Sequence, residues 1–297
     1  MQNFQLIAYI AFDNKYCEVD INMVIINGTG IADEIKTKLK NDMQKEGICP
    51  SLAIILLGDN KQDSTYVALK KKAVEFIGGK THIYQLPINT RKEDLLGIIN
   101  MLNQDDNIDG ILLQLPLPDE LESYTEDFLE AITSKKDVDG FNPINRGRLT
   151  AEKADFVSCA ALAGLDIIHR YNSTIEGKKA VLLGDSFDLI IPLAVILIKS
   201  GCRVNVIPKY QSQSIKEGDI LILEKGAPGI VKSEDLKKDV IIIDAGFHWH
   251  IDHIMGNVDK DSVKDVNGYL LPVPGGLGPV LIAKLMENLC LAARENR

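Results

Sequence analysis

The chain has 297 residues, of which 45% are hydrophobic and 25% are charged. This is the composition of a globular protein, and the length is sufficient for one large or two medium-sized α/β domains. The 33 basic and 42 acidic residues give a formal net charge of −9, which disfavours non-specific binding to nucleic acid. No apolar run reaches the ~18 to 20 residues that a membrane helix needs, so no membrane partner is expected.

Five scattered cysteines, odd in number and without a CxxC, fit a reducing cytoplasm better than a disulfide framework. Residues 1–22 are interpreted as an N-terminal extension ahead of Met23. Their apolar stretch has no basic segment before it and no small-residue cleavage site after it, which argues against the alternative of a signal peptide.

From Met23 onward, predicted helices and strands alternate. A four-residue spacing of Ile31, Ile35, Leu39 and Met43 marks the first helix. The following elements are, in order, a strand at 51–58, a helix at 64–77, a strand at 82–86, a helix at 91–103 and a strand at 109–118. Ser64 is predicted to cap the second helix. This alternation is typical of a parallel sheet.

A second α/β pattern begins near residue 178, after a connection that carries a helix at 156–171. Its elements are a strand at 178–184, a helix at 187–201, strands at 203–207, 219–223 and 240–244, and a last helix at 278–293. We therefore predict an α/β protein with a first domain at 23–145, a second domain at 146–277 and a C-terminal helix, 278–297, that packs back on the first domain.

Three segments rich in glycine or proline follow predicted strands, where open parallel sheets bind ligands. They are Gln114–Pro118, Asp137–Gly140 and Pro272–Gly276. Each segment is also consistent with an ordinary tight turn.

Tyr66 and Lys70 are four residues apart on a predicted helix and so share one face. A buried lysine beside a tyrosine can carry out acid–base chemistry. The alternative is that Lys70 belongs to a solvated run with Lys71 and Lys72.

Two glycine-containing segments are candidates for a nucleotide site. Gly28-Thr-Gly30 fails the dinucleotide fingerprint because Asp33 stands at the third glycine position. Gly184-Asp-Ser186 lies between an apolar strand and a helix, so its N–H groups are placed to face a phosphate, although Asp185 would repel one.

A histidine-rich segment near residue 250 resembles a metal cluster. It contains His248, His250, Asp252 and His253, but this spacing matches no zinc motif. We therefore expect no metal site.

Four blocks of the sequence, in this order, resemble the bifunctional methylenetetrahydrofolate dehydrogenase/methenyltetrahydrofolate cyclohydrolase family. The blocks are Tyr66–Lys70, Asp109–Pro118, Lys136–Leu149 and Pro272–Pro279, and the resemblance extends from about Val24 to Met286. It implies two α/β domains flanking a cleft, the second a Rossmann-like NAD(P)-binding domain, in a homodimer. It also implies oxidation of 5,10-methylenetetrahydrofolate with NADP and hydrolysis of the methenyl product to 10-formyltetrahydrofolate.

The same resemblance implies site residues in both domains. The catalytic residues would be Lys70, Tyr66 and Gln114, and Asp139 would hold the pterin ring. The substrate-binding set would be Tyr66, Gln114, Leu115, Pro116, Asp139, Pro272, Gly275 and Gly276. The cofactor-binding set would be Gly184, Asp185, Ser186 and Phe247.

The second domain departs from the family pattern, whereas the folate-binding half follows it. Asp185 stands in place of the arginine that holds the 2′-phosphate of NADP, and Ile191 in place of a glycine. Further departures occur at Ser158–Ala161, Ile207–Lys209 and Asp244–His248. Three alternatives remain open: a bifunctional enzyme with an atypical cofactor site that takes NADP or NAD, a cyclohydrolase without the dehydrogenase step, and a non-enzymatic folate-binding paralogue.

Overall fold

The computed structural model describes residues 22–172, 174–250 and 253–296. The predicted extension, apart from Asn22, lies outside these residues. Within the described ranges, no helix is both long and apolar enough to cross a bilayer.

Strands and helices alternate along the described chain, as the sequence predicts. The strands are β1 (Met23–Ile25), β2 (Ser51–Leu57), β3 (Lys80–Leu86), β4 (Gly110–Leu113), β5 (Lys179–Leu183), β6 (Arg203–Ile207), β7 (Ile220–Leu223), β8 (Val240–Asp244), β9 (His248–His250), β10 (His253–Met255) and β11 (Gly268–Leu271). The helices are α1 (Gly28–Glu46), α2 (Lys61–Phe76), α3 (Lys92–Gln104), α4 (Asp119–Glu122), α5 (Thr125–Ala131), α6 (Pro143–Leu149), α7 (Cys159–Tyr171), α8 (Ile190–Lys199), α9 (Ser212–Ile215), α10 (Lys260–Val263) and α11 (Leu277–Glu295). The predicted α/β fold is confirmed.

The first sheet has the order β3-β2-β4, and both pairings are parallel. All seven residues of β2 are buried because helices cover both faces of this central strand. An isolated bridge between Ile111 and Asp137 adds the segment after α5 to the free edge of β4. One local prediction is wrong: α2 begins at Lys61, so Ser64 lies inside the helix and does not cap it.

The second sheet has the order β1-β11-β8-β7-β5-β6, and every pairing in it is parallel. The sequence interpretation assigned residues 23–145 to the first domain, but β1 pairs with β11, with Met23 opposite Gly268. The described part of the chain therefore starts in the second sheet and enters the first domain through α1. Because β1 has only three residues, its sequence pattern is too short to predict which strand it pairs with.

The long C-terminal helix α11 connects the two domains. Its apolar face is buried against α1, α2 and α7 in a shared core. Asn288 donates from Nδ2 to the carbonyl oxygens of Val138 (2.8 Å) and Val157 (3.1 Å). Arg294 near the end of the helix pairs with Glu46 of α1 at 2.7 Å. These contacts tie the C-terminus to the first domain.

Each sheet has a point where the chain turns from one neighbouring strand to the opposite one. In the first sheet this point is β2, which lies between β3 and β4, and in the second it is β5, which lies between β6 and β7. Crevices open at the carboxyl ends of such strands. The two points predict one ligand site in each domain.

Candidate active site

A cleft of ≈ 620 Å³ opens where the carboxyl end of the first sheet meets the second domain. Residues from both domains and from α11 line it: Asp63, Tyr66, Lys70, Leu113, Gln114, Leu115, Pro116, Leu117, Glu122, Thr125, Asp139, Phe141, Phe187, Asp188, Gly278, Leu281 and Ile282. Five of the eight predicted substrate-binding residues are among them. Pro272, Gly275 and Gly276 are not, since the part of the C-terminal segment that reaches the cleft is α11.

Lys70 is a buried member of the lysine run on α2. Its Nζ donates to Oε1 of Gln114 at 3.1 Å, whereas Lys71 and Lys72 are exposed. The helix therefore turns one of three consecutive lysines into the cleft and leaves the other two in solvent. Burial of an amine with a fixed acceptor restricts it to a defined position, which general acid–base catalysis requires.

Gln114 is fixed as an acceptor toward Lys70. Its Nε2 donates to the carbonyl oxygen of Leu115 at 2.9 Å, which leaves Oε1 for the lysine. Its own backbone N–H extends the pairing of β4 with β2 by donating to Ile55 at 2.9 Å. The strand end thus holds the amide group directly.

Tyr66 lies one helical turn before Lys70, lines the cleft and is 40% exposed. No hydrogen bond joins its hydroxyl to Lys70 among the contacts of the described residues, so the lysine is held by Gln114 and not by Tyr66. A tyrosine in this position provides an aromatic face at the mouth of the cleft and stays available to a ligand.

Asp139 is a buried carboxyl group that faces the cleft. Burial raises the pKa of Asp139, the positive charge of Lys70 lowers it, and the negative charge of Asp188 raises it further. The next residue, Gly140, has a φ of 73°, and a Cβ there would collide with the backbone of Val157. Glycine is therefore required for the close approach that brings Asp139 into the cleft.

Asp137, two residues earlier, has a different role. Its carboxylate accepts hydrogen bonds from the N–H groups of Phe141 (3.0 Å) and Asn142 (2.8 Å) and from Nδ2 of Asn145 (2.8 Å). Burial raises the pKa of Asp137 to about 7. This side chain holds the loop together, and Asp139 is the acid that the loop presents to a ligand.

The wall of the cleft that belongs to the second domain begins with Phe187. Its ring packs edge-on against Phe141 of the first domain, with centroids 5.0 Å apart, and the Arg146 guanidinium lies 5.4 Å from the Phe187 centroid. Asp188 follows, and its carbonyl oxygen accepts a hydrogen bond from Ser158 Oγ. Sequence reasoning missed Phe187 and Asp188, although both directly follow the Gly184–Ser186 candidate.

The predicted nucleotide turn lies after β5, at the reversal point of the second sheet. Gly184 has a φ of 144°, and a Cβ there would collide with Glu224 Oε2 and lie 3.0 Å from Ile190 Cγ1. Ile191, which stands in place of the family's glycine, is not the residue that packs against Gly184. Ile190 is the buried neighbour of Gly184, whereas Ile191 is 50% exposed.

Charged side chains surround this turn. Asp185 forms an ion pair with Lys225, and the Glu224 carboxylate accepts a hydrogen bond from the Ser186 N–H at 3.4 Å. Ser186 Oγ accepts from the N–H groups of Leu189 (3.3 Å) and Ile190 (3.1 Å). The sequence interpretation missed Glu224 and Lys225. Their signal in the sequence is a pair of charged residues directly after the apolar strand β7.

Phe247 is exposed and packs edge-on against Trp249, with centroids 6.0 Å apart. The neighbouring His248 shares a hydrogen bond of 3.0 Å between Nε2 and Asn257 Oδ1. Asn257 in turn donates from Nδ2 to the Leu223 carbonyl oxygen at 2.9 Å, which gives His248 a structural contact. Asp252 and the side chain of His250 lie outside the described part of the chain. Among the described side chains, no three His, Cys, Asp or Glu residues are grouped as metal ligands.

Comparison with known proteins gives matches along most of the chain. The model of the tetrahydrofolate dehydrogenase/cyclohydrolase catalytic domain matches residues 26–139, and the model of the NAD(P)-binding domain of that family matches residues 158–297. The Bifunctional protein FolD 1 of Syntrophomonas wolfei is 52% identical over 277 residues, which are 93% of this chain and 100% of the relative.

Two solved structures have the same fold over nearly their whole length. The bifunctional FolD enzyme of Campylobacter jejuni superposes with a TM-score of 0.87 at 38% identity, over 93% of this chain and 100% of that one. The FolD of Trypanosoma brucei, solved in complex with NADP and an inhibitor, superposes with a TM-score of 0.86 at 28% identity, over 92% of this chain and 98% of that one.

The different roles of the two loop acids can be tested by stability. Asp137→Ala is expected to lower the free energy of unfolding by about 2 to 3 kcal/mol, because it leaves buried N–H donors without an acceptor. Asp139→Ala is expected to stay within about 1 kcal/mol of the wild type, because it removes a buried carboxyl group that supports no backbone donor. Urea denaturation at pH 7 measures both. Equal losses for the two variants would contradict the assignment.

Proposed function

Because the chain belongs to the tetrahydrofolate dehydrogenase/cyclohydrolase family, we propose that its cleft binds the folate against the first domain and carries out both reactions there. The chain is a bifunctional FolD enzyme of one-carbon folate metabolism. The observation that carries the site assignment is the buried Lys70–Gln114 pair, which shares the cleft with Asp139. Of the three alternatives that the sequence leaves open, the proposed function is that of the bifunctional enzyme.

In the hydrolytic step, water adds to the methenyl carbon, a proton leaves, and one carbon–nitrogen bond opens to give the 10-formyl product. Lys70 is the amine that positions this water and moves its proton, and Gln114 keeps the amine directed into the cleft. Tyr66, exposed at the cleft, closes one side of the ring-binding region.

Asp139 is proposed to orient the substrate. A carboxylate accepts two parallel hydrogen bonds from an aminopyrimidine edge, which fixes both the position and the rotation of the ring. Its buried position strengthens such bonds because little water competes for them. Leu115 and Pro116 form the apolar wall beside Gln114, and the loop of Pro272, Gly275 and Gly276 remains a proposed contact of the folate beyond the cleft lining.

The turn after β5 fits a dinucleotide in one respect, since it is a glycine turn at the reversal point of a parallel sheet. When bound there, a nicotinamide cofactor would supply the hydride acceptor for the oxidation step. The charges fit a free ribose hydroxyl better than a 2′-phosphate, because Asp185 and Glu224 are both acids. We therefore propose that Gly184, Asp185, Ser186 and Phe247 hold the cofactor, and that NADP is not strongly preferred over NAD.

We also propose a homodimer in the cytoplasm. The family resemblance supports the dimer. The buried thiols of Cys159, Cys202 and Cys290, which form no disulfide, support a reducing compartment.

Lys70→Met is expected to abolish hydrolysis of the methenyl substrate while binding of a folate analogue survives, since the substitution keeps the aliphatic stem and removes the amine. Lys72→Met, the same change on the exposed face of α2, is the matched control and should leave hydrolysis unchanged. Loss of the substrate's absorbance in the presence of each purified variant measures the rate. Hydrolysis by Lys70→Met above the uncatalysed rate would remove Lys70 from the mechanism.

Asp139→Ala is expected to weaken binding of a folate analogue by about 1.5 to 3 kcal/mol, the range for a hydrogen bond to a charged group. Calorimetric titration measures the dissociation constant, and circular dichroism checks that the variant is folded. A folded variant with an unchanged dissociation constant would exclude Asp139 from the site.

Asp185→Arg is expected to shift the balance from NAD toward NADP by about 1 to 3 kcal/mol, the scale of one charge-assisted contact. Asp265→Arg, which makes the same charge change at an exposed position away from both sites, is the control. Calorimetric titration with each cofactor gives the ratio of dissociation constants. Much tighter binding of NADP than of NAD by the wild type would mean that another cation holds the 2′-phosphate, with Lys225 at the turn now a stronger candidate than Lys209.

A further inference from the structure

Asp188 is a carboxylate in the cleft that the roles assigned so far do not use. It lines the same cavity as Lys70, Gln114 and Asp139, but it comes from the second domain. No hydrogen bond or ion pair engages its side chain within the described part of the protein. Asp188 is half-buried and lines the substrate cleft, so its unpaired charge is available to a ligand bound there.

The backbone around Asp188 is held in place from both sides. Ser158 donates a hydrogen bond to its carbonyl oxygen, and Phe187 packs against Phe141 across the cleft. The next residue, Leu189, is buried in the shared core, and its N–H donates to Ser186 Oγ at 3.3 Å. Asp188 therefore sits on a fixed turn, which directs the carboxylate to the cleft and limits its escape into solvent.

The charges lining the cleft are predominantly negative. Asp63, Glu122, Asp139 and Asp188 face one lysine, Lys70, among the described lining residues. Asp139 and Asp188 are close enough that the negative charge of Asp188 contributes to the raised pKa of Asp139, alongside burial as the larger cause. The position of Asp188 is thus coupled electrostatically to the acid proposed to hold the pterin ring.

The one-carbon unit changes charge during the reaction. The methylene form is neutral at its bridging carbon. Loss of a hydride from that carbon, for which a bound nicotinamide cofactor would be the acceptor, leaves a methenyl group with one positive charge spread over the carbon and its two nitrogen neighbours. A fixed carboxylate on the cofactor side of the cleft lowers the energy of this cation relative to the neutral form.

We propose that Asp188 is a specificity-determining residue that favours the cationic methenyl form of the bound one-carbon unit. This inference rests on the proposed function of the cleft. It assigns to the second domain, beyond cofactor binding, a direct electrostatic role toward the substrate. It also gives a role to an acid that has no partner in the described part of the protein.

The test compares a cationic and an uncharged ligand. Asp188→Asn keeps the shape of the side chain and removes its charge, and Asp265→Asn removes an exposed carboxylate of the same domain outside the cleft. Asp188→Asn is expected to raise the KM for hydrolysis of 5,10-methenyltetrahydrofolate on the order of fivefold. The dissociation constant for tetrahydrofolate, which lacks the one-carbon bridge and is not turned over, should stay within about twofold.

Ionic strength provides a second readout that a purely structural role would not change. The KM of the wild type for the methenyl substrate should rise with salt more steeply than that of Asp188→Asn, because salt screens the charge that the variant lacks. Asp265→Asn should follow the wild type in both measurements.

The outcomes separate this inference from the proposed function. A wild-type protein that neither hydrolyses the methenyl substrate nor binds tetrahydrofolate would overturn the function of the cleft. A wild type that does both, with an Asp188→Asn variant indistinguishable from Asp265→Asn, would overturn the role of Asp188 alone. Equal weakening for both ligands would also overturn it, since the effect would then not depend on the charge of the one-carbon unit.

Discussion

Every strand pairing in the two main sheets is parallel, and this constraint determines where chemistry takes place in the molecule. Parallel strands share one carboxyl edge, so the helix α2, the end of β4 and the Asp137–Gly140 loop converge at the same side of the first sheet. The second sheet places the turn after β5 in the same way. The helix α11 packs on elements of both domains and keeps the two edges on either side of one cleft.

Acidic residues close together in sequence are given different environments by this arrangement. Asp137 has three hydrogen-bond donors and holds its loop, whereas Asp139 is directed into the cleft by the glycine that follows it. Asp185 is compensated by Lys225, whereas Asp188, three residues later, has no such partner among the described residues. An acid that is already paired stabilises a loop, and one that is left unpaired in a cavity is available to a ligand.

The cofactor side of the site combines a turn suited to a nucleotide with an unusual set of charges. Gly184 forms the turn, but Glu224 lies against it and its carboxylate accepts a hydrogen bond from the Ser186 N–H. The repulsion of a phosphate by Asp185, inferred from the sequence, is moderated by Lys225. The pairing of β7 with β5 places both charges at the end of β7, Glu224 and Lys225, beside this turn.

The sequence by itself determined the elements, the two-part organisation and half of the cleft residues of the first domain. The apolar periodicity of α1 and the buried run of β2 are local signals, and Gln114 follows its strand directly, so each could be predicted without knowing the neighbours. Only the tertiary structure decided that Lys70 is buried while Lys71 and Lys72 are exposed, that β1 belongs to the second sheet, and that Asp188 lines the same cleft as Asp139. The physical reason is that burial, strand pairing and electrostatic coupling between distant segments depend on which residues pack together in space. The order of residues along the chain does not specify those contacts directly.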